Sequence, residues 1–260
     1  MIKKIIKNII LWNRLSSKKK RVIKEAFGLY SHKVINPYNY EIKEVEIALF
    51  FADNINKIYQ IKQWLNVLKE LNTRKKILFI VKDRKVLDWL NNNTDFIIIF
   101  YNNLNSLISI YNSNNIKVTL YVNNGLRNFH SLINSRTMHI HINHGESDKT
   151  STISNQIKAY DYSFIVAQAG YDKYNLNLIK KDMKKFIKIG RPQLDFIKKA
   201  NLNLSLEEDK KIIIYAPTWE GYYNSMNFSS LSTMGLNIVS KILSDDSYFL
   251  IYRILEDLLF

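Results

Sequence analysis

An α/β fold built on a parallel sheet is what this chain of 260 residues predicts, and three observations predict it. Seven short runs rich in Ile, Val and Phe recur between residues 46 and 189. Helical stretches separate them, as crossover connections between parallel strands require. A hydrophobic content of 47% against 23% charged is that of a chain with a sizeable core, which argues against disorder.

Taken in order, the chain opens with Ile2, Ile5, Ile6, Ile9 and Ile10 on one helical face while Lys3, Lys4 and Lys7 point elsewhere. With Trp12, Leu15 and the basic cluster at 18–21, residues 1–30 read as a basic amphipathic helix. Two readings stay open for it: a helix lying on an anionic membrane, or one packed on the protein's own core. Strands are predicted at 46–52, 76–81, 96–101, 117–122, 138–143, 163–167 and 186–189. Helices are predicted between them at 55–71, 85–91, 104–112, 128–134, 154–159 and 170–184. Residues 45–200 thus make a doubly wound, Rossmann-like domain. A boundary follows over 200–211. Residues 210–260 then open a second α/β domain with a strand at 212–215, a polar loop through Ser230, a helix near 234–243 and a strand at 248–253.

Composition excludes several classes. There is no cysteine, so neither disulfide nor thiolate metal site exists, which fits a cytoplasmic protein. The formal charge is +15, but nine basic residues and no acid lie within residues 1–24, leaving 29 basic against 23 acidic elsewhere. A nucleic-acid partner is not expected, because the excess is confined to one segment and no recognition motif accompanies it. No apolar run approaches the roughly 20 residues of a membrane-spanning helix. No Gly-x-Gly-x-x-Gly follows the first strand, where Phe51-Ala52-Asp53-Asn54 stands, and no P-loop is present, so no cofactor is expected.

The candidate site centres on residues 138–151. His139, His141 and Asn143 share one face of a strand and Ile140 and Ile142 the other, and His144 falls where the strand ends. Gly145 lets the chain turn away there, and a polar loop from Glu146 to Ser151 follows. Loops beyond the carboxyl ends of parallel strands are where ligands bind in such sheets. An imidazole titrates near neutrality, so His144 is the candidate general base. Glu146, Ser147, Asp148 and Lys149 either orient it and touch substrate or form an ordinary hydrophilic loop. His139 and His141 have a chelating spacing, but without a third ligand they read as structural histidines.

His144-Gly145 and its loop, then 160–167 (YDYSFIVA), Gly190-Arg191-Pro192-Gln193-Leu194-Asp195 and Ile214-Tyr215-Ala216-Pro217-Thr218-Trp219 form four motifs in order. Together they resemble the CDP-glycerol glycerophosphotransferase family over roughly residues 118–253. That resemblance implies a GT-B-like fold of two facing Rossmann-like domains and transfer of glycerol phosphate from CDP-glycerol to a lipid-linked or polymeric acceptor. The setting it implies is teichoic acid or capsule synthesis at the inner face of the cell membrane. His144 matches the family's histidine. Gly145, Glu146, Ser147, Asp148, Lys149, Arg191 and Thr218 become candidate substrate-binding residues, with Trp219 read as core. Glu146-Ser147-Asp148-Lys149 departs from the Thr-Pro-Leu-Lys of many relatives and suggests another branch. In the family a strand like 249–253 runs into Pro-His-Pro; here Arg253 is followed by other residues, so a C-terminal truncation is expected. The alternative to an enzyme is a non-catalytic remnant that binds membrane or a partner.

Overall fold

The computed structural model describes residues 42, 45–146, 153–197, 210–218, 227 and 229–253. Among them, seven parallel strands form one sheet: β1 (Ile47–Phe51), β2 (Ile77–Val81), β3 (Ile97–Phe100), β4 (Val118–Tyr121), β5 (Met138–His141), β6 (Tyr162–Ile165) and β7 (Phe186–Lys188). Their order across the sheet is β3-β2-β1-β4-β5-β6-β7. The chain therefore winds outward from β1 to one edge, returns to β4 beside β1, and winds outward to the other edge. Six of these strands fall within the spans that apolar periodicity predicts, each trimmed by one or two residues, and β6 overlaps its span but starts one residue earlier, at Tyr162.

The two-residue period of the strands sorts the core into two layers. Leu49, Phe51, Ile77, Phe79 and Val81 face one side, where they meet Ile61, Trp64 and Leu68 of α1 (Tyr59–Arg74) and Val86, Leu87 and Leu90 of α2 (Arg84–Asn93). Ala48, Phe50, Leu78 and Ile80 face the other, against Leu107, Ile110 and Tyr111 of α3 (Leu104–Ser113). β2 is buried at all five positions, and each large side chain fully withdrawn from water contributes roughly 1.5–3 kcal/mol.

Local chemistry fixes the helix ends. Asp83 caps α2 by accepting from the Val86 N–H at 3.0 Å. Asn103 and Ser106 form a reciprocal capping box on α3, and Asn114 at its far end receives the Ile42 N–H at 2.9 Å. The short α4 (Phe129–Leu132) follows β4. The helix predicted over 170–184 is instead α5 (Gln168–Asn177), with a separate 3-10 turn at Met183–Lys185. The break falls where Leu178 becomes extended and Lys180 takes a φ of 47°, which ends the helical ladder. The helix predicted near 154–159 is a 3-10 turn, Asn155–Ala159.

Beyond residue 209, β8 (Lys211–Tyr215) and β9 (Tyr248–Tyr252) pair in parallel as a second sheet. α6 (Leu236–Leu243) connects them, preceded by a π-helical turn at Leu231–Gly235. No described helix is long and apolar enough to cross a membrane. The amphipathic segment at 1–30 lies outside the described residues.

Candidate active site

The strand order reverses between β1 and β4, and in open α/β sheets the crevice beyond the carboxyl ends at such a reversal is where ligands bind. Three strand ends meet there. Asp53 and Lys57 follow β1, Val122 and Asn123 follow β4, and Asn143 and His144 follow β5.

The turn after β5 differs from the sequence expectation. Asn143, not Gly145, takes the left-handed conformation, with a φ of 54°. Asn tolerates that region because its short side chain bonds locally; here its Oδ1 accepts the His144 N–H at 2.9 Å. The Asn143 carbonyl in turn accepts from the Trp64 indole N–H on α1. The position of the catalytic candidate is thus held by a helix 79 residues away in sequence.

His144 is partly exposed, with Tyr59 edge-on at 5.7 Å between ring centroids. Its Nδ1 lies 3.0 Å from the Val122 carbonyl. A carbonyl can only accept, so Nδ1 carries the proton and Nε2 keeps its lone pair. Burial lowers the imidazole's pKa below its ordinary 6.5, with the Val122 hydrogen bond opposing and the nearby Lys57 ammonium adding to the fall. The ring is therefore a neutral acceptor at pH 7, as a general base must be.

Glu146 is engaged by the fold. Its Oε1 accepts the Val166 N–H at 2.8 Å, ahead of α5, whose own N-cap residue Ala167 provides no side-chain cap. A Cβ at Gly170 would meet the Glu146 Oε2 at 2.7 Å, so the glycine makes room for the carboxylate against the first turn of α5. A carboxylate there satisfies the N–H of the residue just before the N-cap and complements the helix dipole. Glu146 thus ties the loop after β5 to α5.

Gly145, Glu146, Gly190 and Arg191 line one small cleft with Trp64 and Val166, of about 20 Å³, room for about one water molecule. Gly190 has a φ of 72°, a conformation that L side chains rarely adopt, and it turns the exposed Arg191 toward that cleft. The structure thus brings Gly145, Glu146 and Arg191 together in one cleft, which the His144 ring, turned toward Val122 and Tyr59, does not line. Thr218 follows β8 in the second sheet and does not line this cleft. Ser147, Asp148, Lys149 and Trp219 lie outside the described residues.

The other two β5 histidines are buried. His139 Nε2 meets the Asn134 carbonyl at 2.8 Å and Nδ1 the Tyr121 hydroxyl at 2.7 Å, while His141 Nδ1 meets the Ser163 hydroxyl at 3.0 Å. No group of three or more metal-ligating side chains occurs among the described residues.

Sequence reasoning missed the polar cluster at the strand reversal. Asn123 Nδ2 donates to Asp53 Oδ2 at 2.8 Å and to Gln60 Oε1 at 2.7 Å, while its Oδ1 accepts from the Gly125 N–H at 3.0 Å and Asn128 Nδ2 at 3.3 Å. The one sequence signal was a polar Asp53-Asn54 pair directly after an apolar strand.

Residues 39–254 match the model of a family described as CDP-glycerol:poly(glycerophosphate) glycerophosphotransferase. Among solved structures, the wall teichoic acid polymerase TagF in a CDPG-soaked variant aligns at 15% identity with a TM-score of 0.47, over 97% of this chain and 63% of that one. A protein from Listeria monocytogenes assigned as a UDP-N-acetylglucosamine 2-epimerase aligns at 11% identity with a TM-score of 0.48, over 81% and 62%. The chain spans less than two thirds of the length of either. No curated protein matches it.

Proposed function

Because the chain belongs to the CDP-glycerol:poly(glycerophosphate) glycerophosphotransferase family, we propose that it contributes the acceptor side of a glycerol-phosphate transfer with His144 as general base. In this reading the donor is CDP-glycerol and the acceptor a hydroxyl-ended glycan or polyol phosphate of a cell-surface polymer, teichoic acid or capsule. Nε2 of His144 takes the proton from that hydroxyl as its oxygen attacks the phosphorus bearing glycerol. The bond from that phosphorus to the bridging oxygen breaks, and CMP leaves. Arg191 and the backbone at Gly145 face the transferred phosphate, while Thr218 belongs to a second, nucleotide-side lobe that opens with β8 and β9. Ser147, Asp148 and Lys149 complete the substrate loop. The basic segment 1–24 holds the protein against an anionic membrane.

One observation carries this reading: His144 stands at a strand's carboxyl end, partly exposed, with Nδ1 committed to the Val122 carbonyl so that only Nε2 is free to accept a proton. The test is release of CMP from CDP-glycerol in the presence of a glycerol-phosphate oligomer. His144→Ala should reduce the rate by a factor of about 10² to 10⁴, the usual contribution of a general base, without changing the melting temperature. The wild-type rate should rise with pH on a limb whose midpoint lies below 6.5, since the shift is downward and the neutral ring is the active form. An unchanged rate in His144→Ala removes the histidine from the mechanism. Deleting residues 1–24 should release the protein from phosphatidylglycerol vesicles, and continued pelleting would refute the membrane contact.

A further inference from the structure

We propose that Asp53 is an acceptor-binding residue: its carboxylate takes a hydrogen bond from a hydroxyl of a polyol seated between it and His144. The inference rests on the transferase reading above and adds to it the residue that selects a hydroxyl-bearing end.

The geometry begins at β4. Val122 and Asn123 are consecutive, and each holds one wall of the crevice: the Val122 carbonyl fixes the imidazole of His144 on the β5 side, and the Asn123 amide fixes the carboxylate of Asp53 on the β1 side. β1 and β5 both pair with β4, and neighbouring strands lie about 4.8 Å apart, so the two residues stand on backbones about 10 Å apart. The two side chains reach from those backbones toward the crevice between them, where an end with two adjacent hydroxyls can offer one to each, and a glycerol end presents such a pair.

Asp53 is also held in place. Both amide hydrogens of Asn123 are in use, one on Asp53 and one on Gln60, and its oxygen accepts twice, so the amide cannot turn over without losing several bonds. That leaves Oδ2 of Asp53 anchored. Oδ1 faces Lys57 at 3.9 Å, too long for a hydrogen bond, so it retains capacity for a hydroxyl. With its side chain 23% exposed, Asp53 is reachable from the crevice yet rigid. The ammonium of Lys57 lies beside this carboxylate and within electrostatic reach of His144, which adds positive potential where a phosphate would arrive.

The test titrates the full chain with two synthetic probes: tri(glycerol phosphate) ending in a free glycerol, and the same oligomer whose last unit lacks the secondary hydroxyl. The wild type should prefer the first by about tenfold, the effect of one hydrogen bond to a charged group. Asp53→Asn, matched in shape, and Asp53→Ala should both lose that preference, and Asp53→Asn should melt with the wild type. A preference retained in Asp53→Asn overturns the assignment while leaving the transferase reading intact. A wild-type chain that binds neither oligomer overturns both.

Discussion

The two halves of the sheet are built from different chemistry. β1, β2 and β3 read IALFF, ILFIV and IIIF, and their interior is almost wholly aliphatic and aromatic. β4, β5 and β6 read VTLY, MHIH and YSFI, and their buried face carries a connected run of hydroxyls and imidazoles. Tyr111 reaches the Thr119 hydroxyl at 3.2 Å, Tyr121 the Ser131 hydroxyl at 2.7 Å and the His139 ring at 2.7 Å, and Asn128 donates to the Tyr160 hydroxyl at 2.9 Å. Aliphatic layers tolerate many packings, whereas a buried polar network is satisfied only in one register. The candidate site stands at the end of the half that is fixed in register, where β4 and β5 aim His144.

If the apolar half anchors stability, Phe79→Ala should be the costliest substitution considered. The ring is fully buried on β2 and packs on Phe96 with centroids 4.6 Å apart. Removing it should cost about 3–5 kcal/mol in urea unfolding, with the same penalty at pH 5 and pH 8. A loss below about 1 kcal/mol would mean that the two halves do not divide the work in this way.

The polar half should instead reveal itself through pH. His141 is buried, its Nε2 has no hydrogen-bond partner among the described residues, and it stacks on Tyr160 at 5.2 Å between centroids. Burial, with repulsion from His144 as the lesser cause, pushes its pKa down from 6.5 to about 3. Within that window the unfolded chain binds a proton that the folded chain refuses. The stability due to the neutral ring is therefore complete above pH 6.5 and lost as pH falls toward 3, at about 1.4 kcal/mol per pH unit. His141→Phe, which keeps the stacking ring, should flatten this acid slope; equal slopes in the two proteins would refute the account.

The same division explains how much of the molecule was legible in its sequence. Short runs rich in Ile, Val, Phe and Tyr announce themselves locally, so all seven strands of the main sheet and the β-α-β beyond residue 209 could be read from composition along the chain. His144 at a strand end was legible for the same reason. The contacts that shape the site were not, because each joins distant residues: Trp64 to Asn143, Asp53 to Asn123, Val166 to Glu146. Local polarity marked Glu146 as a loop residue. Only the fold shows its carboxylate standing at a helix start whose own cap, Ala167, is mute.

The turn after β5 offers the smallest effect on stability and the sharpest separation of stability from function. Sequence reasoning gives Gly145 the task of turning the chain, but Asn143 performs it. Gly145 has no positive φ, and a Cβ built on it meets nothing within 4 Å. Gly145→Ala should therefore change stability by no more than about 0.5 kcal/mol. At Gly190, where φ is 72°, the same substitution should cost about 1–2 kcal/mol for forcing an L residue into the left-handed region. The added methyl at 145 would stand in open space at a residue that lines the same cleft as Arg191, where only substrate would meet it, so CMP release should fall while the melting temperature stays put. If CMP release is unchanged as well, Gly145 has neither a turning role nor a substrate-facing one, and the transferred phosphate must sit elsewhere along the crevice.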